Sequence, residues 1–344
     1  MLIIASILDI ARLAGVSKTT VSKVLNHQYG VHEETRKKVW QAAKDLHYTP
    51  NIAARALVTS KTGVIGVVYD SFKSPIYTEL AGELESWARK LGVHLVFCSC
   101  NQQQASKLHY IQYFMGGAAD GVILFGSAED DYPVIERLMA VNYPFVVIEN
   151  RYEHLQIPNV LVDNIGGASQ AVRYLHELGH RQIVHVTGNM THQVAVDRYN
   201  GFKQAMQELM GALADEDLIY TDGSIGCGLP AAQKLLERSD RPTALFAFND
   251  LIAYEMMDEL HHAGLRIPED ISVIGFDHLV GLLSFKPGIH HLTSMGQPLG
   301  EMARAAMEMI LSVVSGQTPE PMFQQFSPVL QKGNTCSRRE LHSS

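Results

Sequence analysis

From Val64 onward, short runs of β-branched and apolar residues alternate with longer stretches of helical periodicity, and this rhythm constrains the fold more than any other feature. The runs are Val64–Tyr69, His94–Phe97, Gly121–Phe125, Pro144–Ile148, Val160–Val162, Ile183–Val186, Ala244–Phe248 and Ser272–Phe276. Continuous apolar runs, rather than alternating ones, are expected of strands covered on both faces, so the pattern predicts βαβ units and parallel sheets. About ten such strands exceed what one doubly wound domain usually carries, which points to two lobes with a cleft between them.

The first 61 residues differ in texture and in charge. Three short helical stretches run from residue 6 to 47, and Tyr48-Thr49-Pro50-Asn51 then breaks the pattern. A short alanine-rich segment, 51–58, and the linker Thr59-Ser60-Lys61-Thr62-Gly63 follow. Nine Lys or Arg stand against four acids in residues 1–61, giving +5 on a chain whose net charge is −8. A basic head on an acidic body is expected when one end meets phosphate and the other does not.

Within the head, Ser6 is placed to cap a helix over 7–14, with Asp9 completing a weakened capping box. Gly15-Val16-Ser17 predicts a tight turn, and Ser17 caps a second helix running through Asn26. Val21, Val24 and Leu25 form its inner stripe. Ser17, Lys18, Thr19, Thr20, Ser22, Lys23 and Asn26 then supply hydrogen-bonding groups of the kind that read base edges in a major groove. A merely solvated helix face is the competing account. A third helix, 33–46, turns Val39, Ala43 and Leu46 inward and Lys37, Lys38 and Lys44 outward.

The string Leu8-Asp9-Ile10-Ala11-Arg12-Leu13-Ala14-Gly15-Val16-Ser17-Lys18-Thr19-Thr20-Val21-Ser22-Lys23-Val24-Leu25-Asn26 closely resembles the lactose-repressor (LacI/GalR) family, as does Tyr48-Thr49-Pro50-Asn51-Ile52-Ala53-Ala54-Arg55-Ala56-Leu57. The resemblance continues through Asp163-Asn164, Arg198-Tyr199-Asn200-Gly201-Phe202, Asn249-Asp250 and Gly275-Phe276-Asp277, so it covers essentially the whole chain. It implies a multidomain protein: an all-α helix-turn-helix DNA-binding head (1–50), a hinge helix and linker (51–62), and a two-lobed α/β effector domain of type I periplasmic-binding-protein architecture (63–344). It also implies a cytoplasmic homodimer on near-palindromic operator DNA, allosterically controlled by a small sugar or sugar derivative. Asn51 and Ala54 are expected to act in the paired hinge helices, and Leu57 resembles the family leucine that wedges into the minor groove. A two-turn hinge is too short to be helical alone and would order on DNA.

In open α/β folds ligands collect at the carboxyl ends of strands. There the sequence places Asp70, Glu149, Asp163, Asn249 with Asp250, and Asp277, while Arg198 is expected to open the helix after the Ile183 strand. Carboxylates, an amide and a guanidinium can each bridge adjacent hydroxyls of a sugar. A helix cap or loop ion pair is the competing account for every one of them. Tyr77 is the aromatic residue expected to stack the ligand. The effector set is therefore Tyr77, Asp163, Arg198, Asn249, Asp250 and Asp277.

Three departures from the family pattern matter. Lys23 stands where Arg is usual, replacing a planar fork by a point charge. His32, in a Ser position, is a poorer cap, and His278 takes the place of a frequent second acid. The segment 222–228 lacks the family's aromatic residue and the Lys-Ser/Thr of a phosphate loop. No cofactor, metal or catalytic residue is expected: there is no Gly-x-Ser-x-Gly elbow, and the four cysteines lie outside finger-like spacing and are expected to be buried thiols of a reduced cytosol. A sugar-acting enzyme and an exported receptor are the rival classes. The receptor would need a signal peptide, which the opening residues do not resemble, and no apolar run reaches membrane-spanning length.

Overall fold

A computed structural model of the chain describes residues 5–25, 29–48, 61–71, 74–101, 103–126, 131–152, 154–279 and 291–339. The chain parts into two compact units, Met1–Thr62 and Gly63–Ser344.

The first unit holds α1 (Ile7–Ala14), α2 (Lys18–Leu25) and α3 (Glu33–Asp45). Ser6 and Asp9 make the full capping box: the Ser6 N–H donates to the Asp9 carboxylate at 2.9 Å, and the Asp9 N–H donates back to the serine hydroxyl oxygen at 3.4 Å. Gly15 ends α1 at φ 66°, a left-handed turn that costs glycine nothing. Ile10, Ala11, Val21, Val24, Val39, Ala42 and Ala43 meet as one small buried core, ringed by half-buried Leu25 and Leu46. His32 precedes α3 without a side-chain cap bond, as expected of histidine there.

The second unit contains β1 (Val64–Tyr69), α4 (Pro75–Leu91), β2 (His94–Ser99), α5 (Gln104–Tyr113), β3 (Gly121–Phe125), α6 (Tyr132–Ala140), β4 (Phe145–Ile148) and β5 (Asn159–Val162). It continues with α7 (Asn164–Glu177), β6 (Ile183–Val186), α8 (Gln193–Met210), β7 (Leu218–Ile219), α9 (Gly228–Leu236), β8 (Ala244–Ala247), α10 (Asp250–His262) and β9 (Ser272–Asp277). Last come β10 (Thr293–Gly296), α11 (Leu299–Val314), β11 (Phe323–Phe326) and β12 (Val329–Gln331).

Two six-stranded sheets result, ordered β11-β5-β4-β3-β1-β2 and β12-β10-β9-β8-β6-β7. Among the described residues every pairing is parallel except β10 with β12. The eight expected strands are all present. Sequence patterning missed β7, β10, β11 and β12, which have two to four residues each and, in β10 and β11, polar residues at half their positions.

The chain passes between the lobes three times. After β5 it enters α7, which packs on α8 and the second sheet; after β10 it returns as α11, which lies on β3, β4, β5 and α4; after β11 it crosses once more to β12. Asp163, Gln297 with Pro298, and Ser327 with Pro328 are the crossing residues. Strand ends and crossings together frame the cleft.

Candidate DNA-reading face and effector cleft

On α2, Val21 and Val24 are fully buried, and their burial fixes what the opposite face displays. Ser17, Lys18, Thr19 and Lys23 are exposed, Thr20 and Ser22 half-buried. Ser17 Oγ accepts from the Thr20 N–H at 3.1 Å and lies 2.8 Å from the Thr20 hydroxyl, so this pair closes the start of α2. Lys18, Thr19 and Lys23 project from a short helix whose other side is locked into a core, the arrangement a groove-reading helix needs. Asn26, Asn51, Ala54 and Leu57 lie outside the described residues.

The cleft of the second unit is built around Arg198. This residue sits on the second turn of α8 rather than at its start, because that helix begins at Gln193. Arg198 is buried, and its guanidinium donates from Nε to Asn164 Oδ1 at 2.9 Å, from Nη1 to the Phe248 carbonyl at 2.7 Å and from Nη2 to Asp277 Oδ1 at 3.2 Å. Phe276 lies under the guanidinium at 3.7 Å and Phe248 at 4.7 Å. Of the five guanidinium N–H groups these bonds use three. Asp277 also accepts from Gln297 Nε2 at 2.7 Å, so one carboxylate joins Arg198 to the second crossing, as Asn164 joins it to the first. Burial pushes the Asp277 carboxyl up and the Arg198 charge pulls it back. Its backbone takes φ 107°, a strained conformation for a non-glycine residue and one that often accompanies function.

Other strand-end residues take different places. Asp163 caps α7, accepting from the Gly166 N–H at 2.9 Å, and Asn249 caps α10, accepting from the Ile252 N–H at 2.9 Å. Asp250 is buried and saturated: it accepts from the Ser294 hydroxyl at 2.6 Å and from the Leu279 N–H at 2.7 Å, and burial with the nearby Asp277 charge pushes it up to about 8. Tyr77 stands edge-on to Phe125, ring centroids 4.5 Å apart, with its hydroxyl against Gly126 where any side chain would collide. Burial, then the charges of Glu149, Asp70 and Asp277, raise the Tyr77 hydroxyl well above its ordinary value.

Glu149 follows β4 at φ 82°, and its carboxyl is pushed up to about 8 by burial, against the pull of Arg198 and with the push of Asp277 and Asp70. Asp70 pairs with buried Lys107 at 3.2 Å, and the same ammonium reaches Asp131 at 2.5 Å. Sequence reasoning missed Lys107, Asn164, Gln297 and Ser294 as members of this network. Only Lys107 left a trace: it shares the inner stripe of α5 with Ile111, four residues on, where a charge is out of place.

An open groove of about 1020 Å³ extends from Asp277, His278 and Gln297 along α4 to Trp87. The glycine-rich loop before α9 has its N–H groups taken: Gly226 and Gly228 donate to the Glu255 carboxylate at 2.7 and 2.8 Å. That leaves no phosphate cradle, in line with its sequence. No disulfide joins the four cysteines, and of them Cys100 alone is fully buried. Among the described residues no His, Cys, Asp and Glu cluster could hold a metal, and no helix is long and apolar enough to cross a membrane.

Residues 6–51 match the model of bacterial regulatory proteins of the lacI family, and 172–336 match the periplasmic binding protein-like domain. The transcriptional regulator DegA of Bacillus subtilis is 34% identical, over 86% of this chain and 88% of its own. The transcriptional repressor PurR of Vibrio atlanticus is 32% identical over 96% and 98%. The chain belongs to the LacI family. Among solved structures, the lac repressor dimer bound to operator and an anti-inducer superposes with a TM-score of 0.85 at 24% identity, covering 97% of this chain and 99% of that one. The CelR–cellobiose complex superposes at 0.71 with 28% identity, covering 96% and 99%. As a LacI-family member the chain is a DNA-binding transcriptional regulator and not an enzyme, which removes the sugar-acting enzyme from consideration.

Proposed function

We propose that this LacI-family regulator is a cytoplasmic repressor of a carbohydrate-utilisation operon, acting as a homodimer on a near-palindromic operator and released or engaged by a small sugar. The observation that carries this reading is the buried Arg198–Asp277 pair at the strand ends, tied to two lobe crossings and flanked by acceptors and aromatic rings. Such a set bridges vicinal hydroxyls, and the similarity to a regulator captured with cellobiose supports it.

Residues 1–50 form the DNA-binding domain in this reading, 51–62 the hinge and linker, and 63–344 the effector and dimerisation domain. Ser17, Lys18, Thr19, Thr20, Ser22, Lys23 and Asn26 face the major groove; Asn51, Ala54 and Leu57 act at the hinge. Tyr77, Asp163, Arg198, Asn249, Asp250 and Asp277 form the effector set, with Arg198 and Asp277 in direct contact. The saturated Asp250 and the two helix caps, Asp163 and Asn249, shape the walls.

Ligand closure of the lobes works through the crossings. A ligand that draws Arg198 or Asp277 toward itself strains their bonds to Asn164 and Gln297 and so biases the lobe angle. The test is a thermal-shift panel of free sugars, amino sugars, sugar phosphates and nucleobases, followed by operator binding with each hit. A sugar that raises the melting temperature and changes operator affinity supports the reading. Stabilisation by nucleobases alone would replace it.

A further inference from the structure

The charge inventory of the cleft narrows the ligand class, an inference that rests on the sugar reading above. Five carboxyls stand at or beside strand ends, Asp70, Glu149, Asp163, Asp250 and Asp277, of which Asp163 caps α7. Among the described residues two cations pair with them, and both are already committed. Lys107 is divided between Asp70 and Asp131, and Arg198 is held by Asp277. Asp250 is filled by the Ser294 hydroxyl and the Leu279 N–H. Glu149 differs: among the described residues no hydrogen bond or ion pair ends on its carboxyl, although its backbone N–H is anchored to the Val160 carbonyl at 2.9 Å. Its left-handed backbone, φ 82°, is one an L side chain rarely adopts, and strain of this kind persists where the surroundings hold a side chain in a set direction.

A strand-end carboxyl with no partner among the described residues, within the electrostatic influence of Asp70 and Asp277, is open to a ligand that donates to it. An anionic group there would face the Asp70 and Asp277 carboxylates and oppose any ionisation of Glu149, while the two cations that pair with those carboxylates, Lys107 and Arg198, are already engaged. The site already resists one negative charge of its own, since burial holds the Glu149 carboxyl up at about 8. We propose that the cleft selects its effector by charge: it takes a neutral or amine-bearing polyhydroxylated ligand, seated by a hydroxyl or amino donor on the Glu149 carboxyl, and excludes phosphorylated and carboxylated sugars. Specificity of this sort works by penalising the wrong ligand as much as by rewarding the right one.

The test uses the full chain at pH 7.5 and matched probes on three scaffolds: glucose, glucosamine and glucose 6-phosphate, with the galactose and mannose counterparts. Calorimetry or thermal shift gives affinities. In whichever scaffold binds, the amine should equal or exceed the parent sugar, and the phosphate should be weaker by at least about tenfold. Glu149→Gln, a change of nearly the same shape that cannot ionise to meet an ammonium, should remove any advantage of the amine over its parent sugar. A phosphate that binds as tightly as its parent overturns the charge selection while leaving the sugar reading intact. If nucleobases bind and no sugar does, the sugar reading and this proposal fall together, and silence from every probe has the same result. Should Glu149→Gln fail the circular-dichroism check for folding, the comparison within each wild-type triplet still decides.

Discussion

At the scale of single residues, Arg198 binds the effector in the proposed reading and holds the resting structure in place. Replacing it by alanine removes charge-assisted bonds, each worth about 1.5 to 3 kcal/mol in net terms, so effector affinity should fall roughly 10- to 150-fold. The same change leaves the buried Asp277 carboxylate without its cation, held by Gln297 alone among the described residues, and takes the donor from the Asn164 amide oxygen, so the variant should also melt at a lower temperature than the parent. Calorimetry on protein verified as folded separates the two effects. Unchanged effector affinity would leave Arg198 as a structural clamp between the crossings. On the head, Lys18→Ala or Lys23→Ala should weaken operator binding by about 1 to 3 kcal/mol and relax preference at one base per half-site. Operator and random DNA compared at fixed salt provide the check, and equal losses on both would make that lysine a phosphate contact.

At the scale of elements, what was readable in the sequence and what was not divide along a physical line. The head was legible because its devices are local. Ser6 and Asp9 lie three residues apart, Gly15 needs only its own φ, and Val21 with Val24 declare the buried face of α2. The eight expected strands were legible for the same reason, each being a run dominated by apolar residues. β11 could not be found this way, since it joins β5 from far away in sequence and tertiary pairing supplies what local patterning lacks. β10, although it pairs with the preceding β9, carries polar Thr293 and Ser294 where an apolar run would mark a strand. In the cleft, strand-end carboxyls were legible because a strand's end predicts its neighbourhood, but the partners that saturate Asp250 and Asp277 come from β10 and the crossing after it. The locality of the head makes a prediction of its own. Ser6→Ala deletes half of the capping box and should destabilise the first unit by about 1 kcal/mol, because that helix loses a satisfied N–H. Hydrogen exchange of α1 amides in the full chain should quicken while exchange in the sheets stays as it was; uniform change throughout would argue against a local cap.

On the scale of the whole molecule, the buried titratable groups set how stability depends on pH. Glu149 and Asp250 are each raised to about 8 by burial, so the folded chain keeps two protons that unfolded carboxyls release near pH 4. A raised carboxyl contributes stability that is complete below the unfolded value and is lost as pH climbs through the folded one. His185 works in the opposite sense. It is fully buried, stacked on Phe246 at 4.6 Å, and burial lowers it to about 4, so the unfolded chain gains its proton first as pH drops below the ordinary histidine value. From pH 6.5 down to 4 this histidine therefore subtracts stability while the two carboxyls add it, and the slopes partly cancel. Between pH 6.5 and 8 the carboxyls act unopposed among these three groups. The melting temperature should accordingly decline from pH 5 to 6.5 with a slope of about one proton and then more steeply above pH 6.5, with a slope of about two protons that eases as pH nears 8. In Glu149→Gln the slope above pH 6.5 should drop by about one proton, because the replaced group no longer titrates. His185→Phe, which keeps an aromatic ring against Phe246, should steepen the decline below pH 6.5 to the roughly two protons that the carboxyls alone would give. Melting curves of the three proteins across this range measure both slopes. A parent protein that gains stability steadily from pH 6.5 to 8 would show that Glu149 and Asp250 are ionised in the folded cleft, and with them the view of that cleft as a place hostile to negative charge would fail.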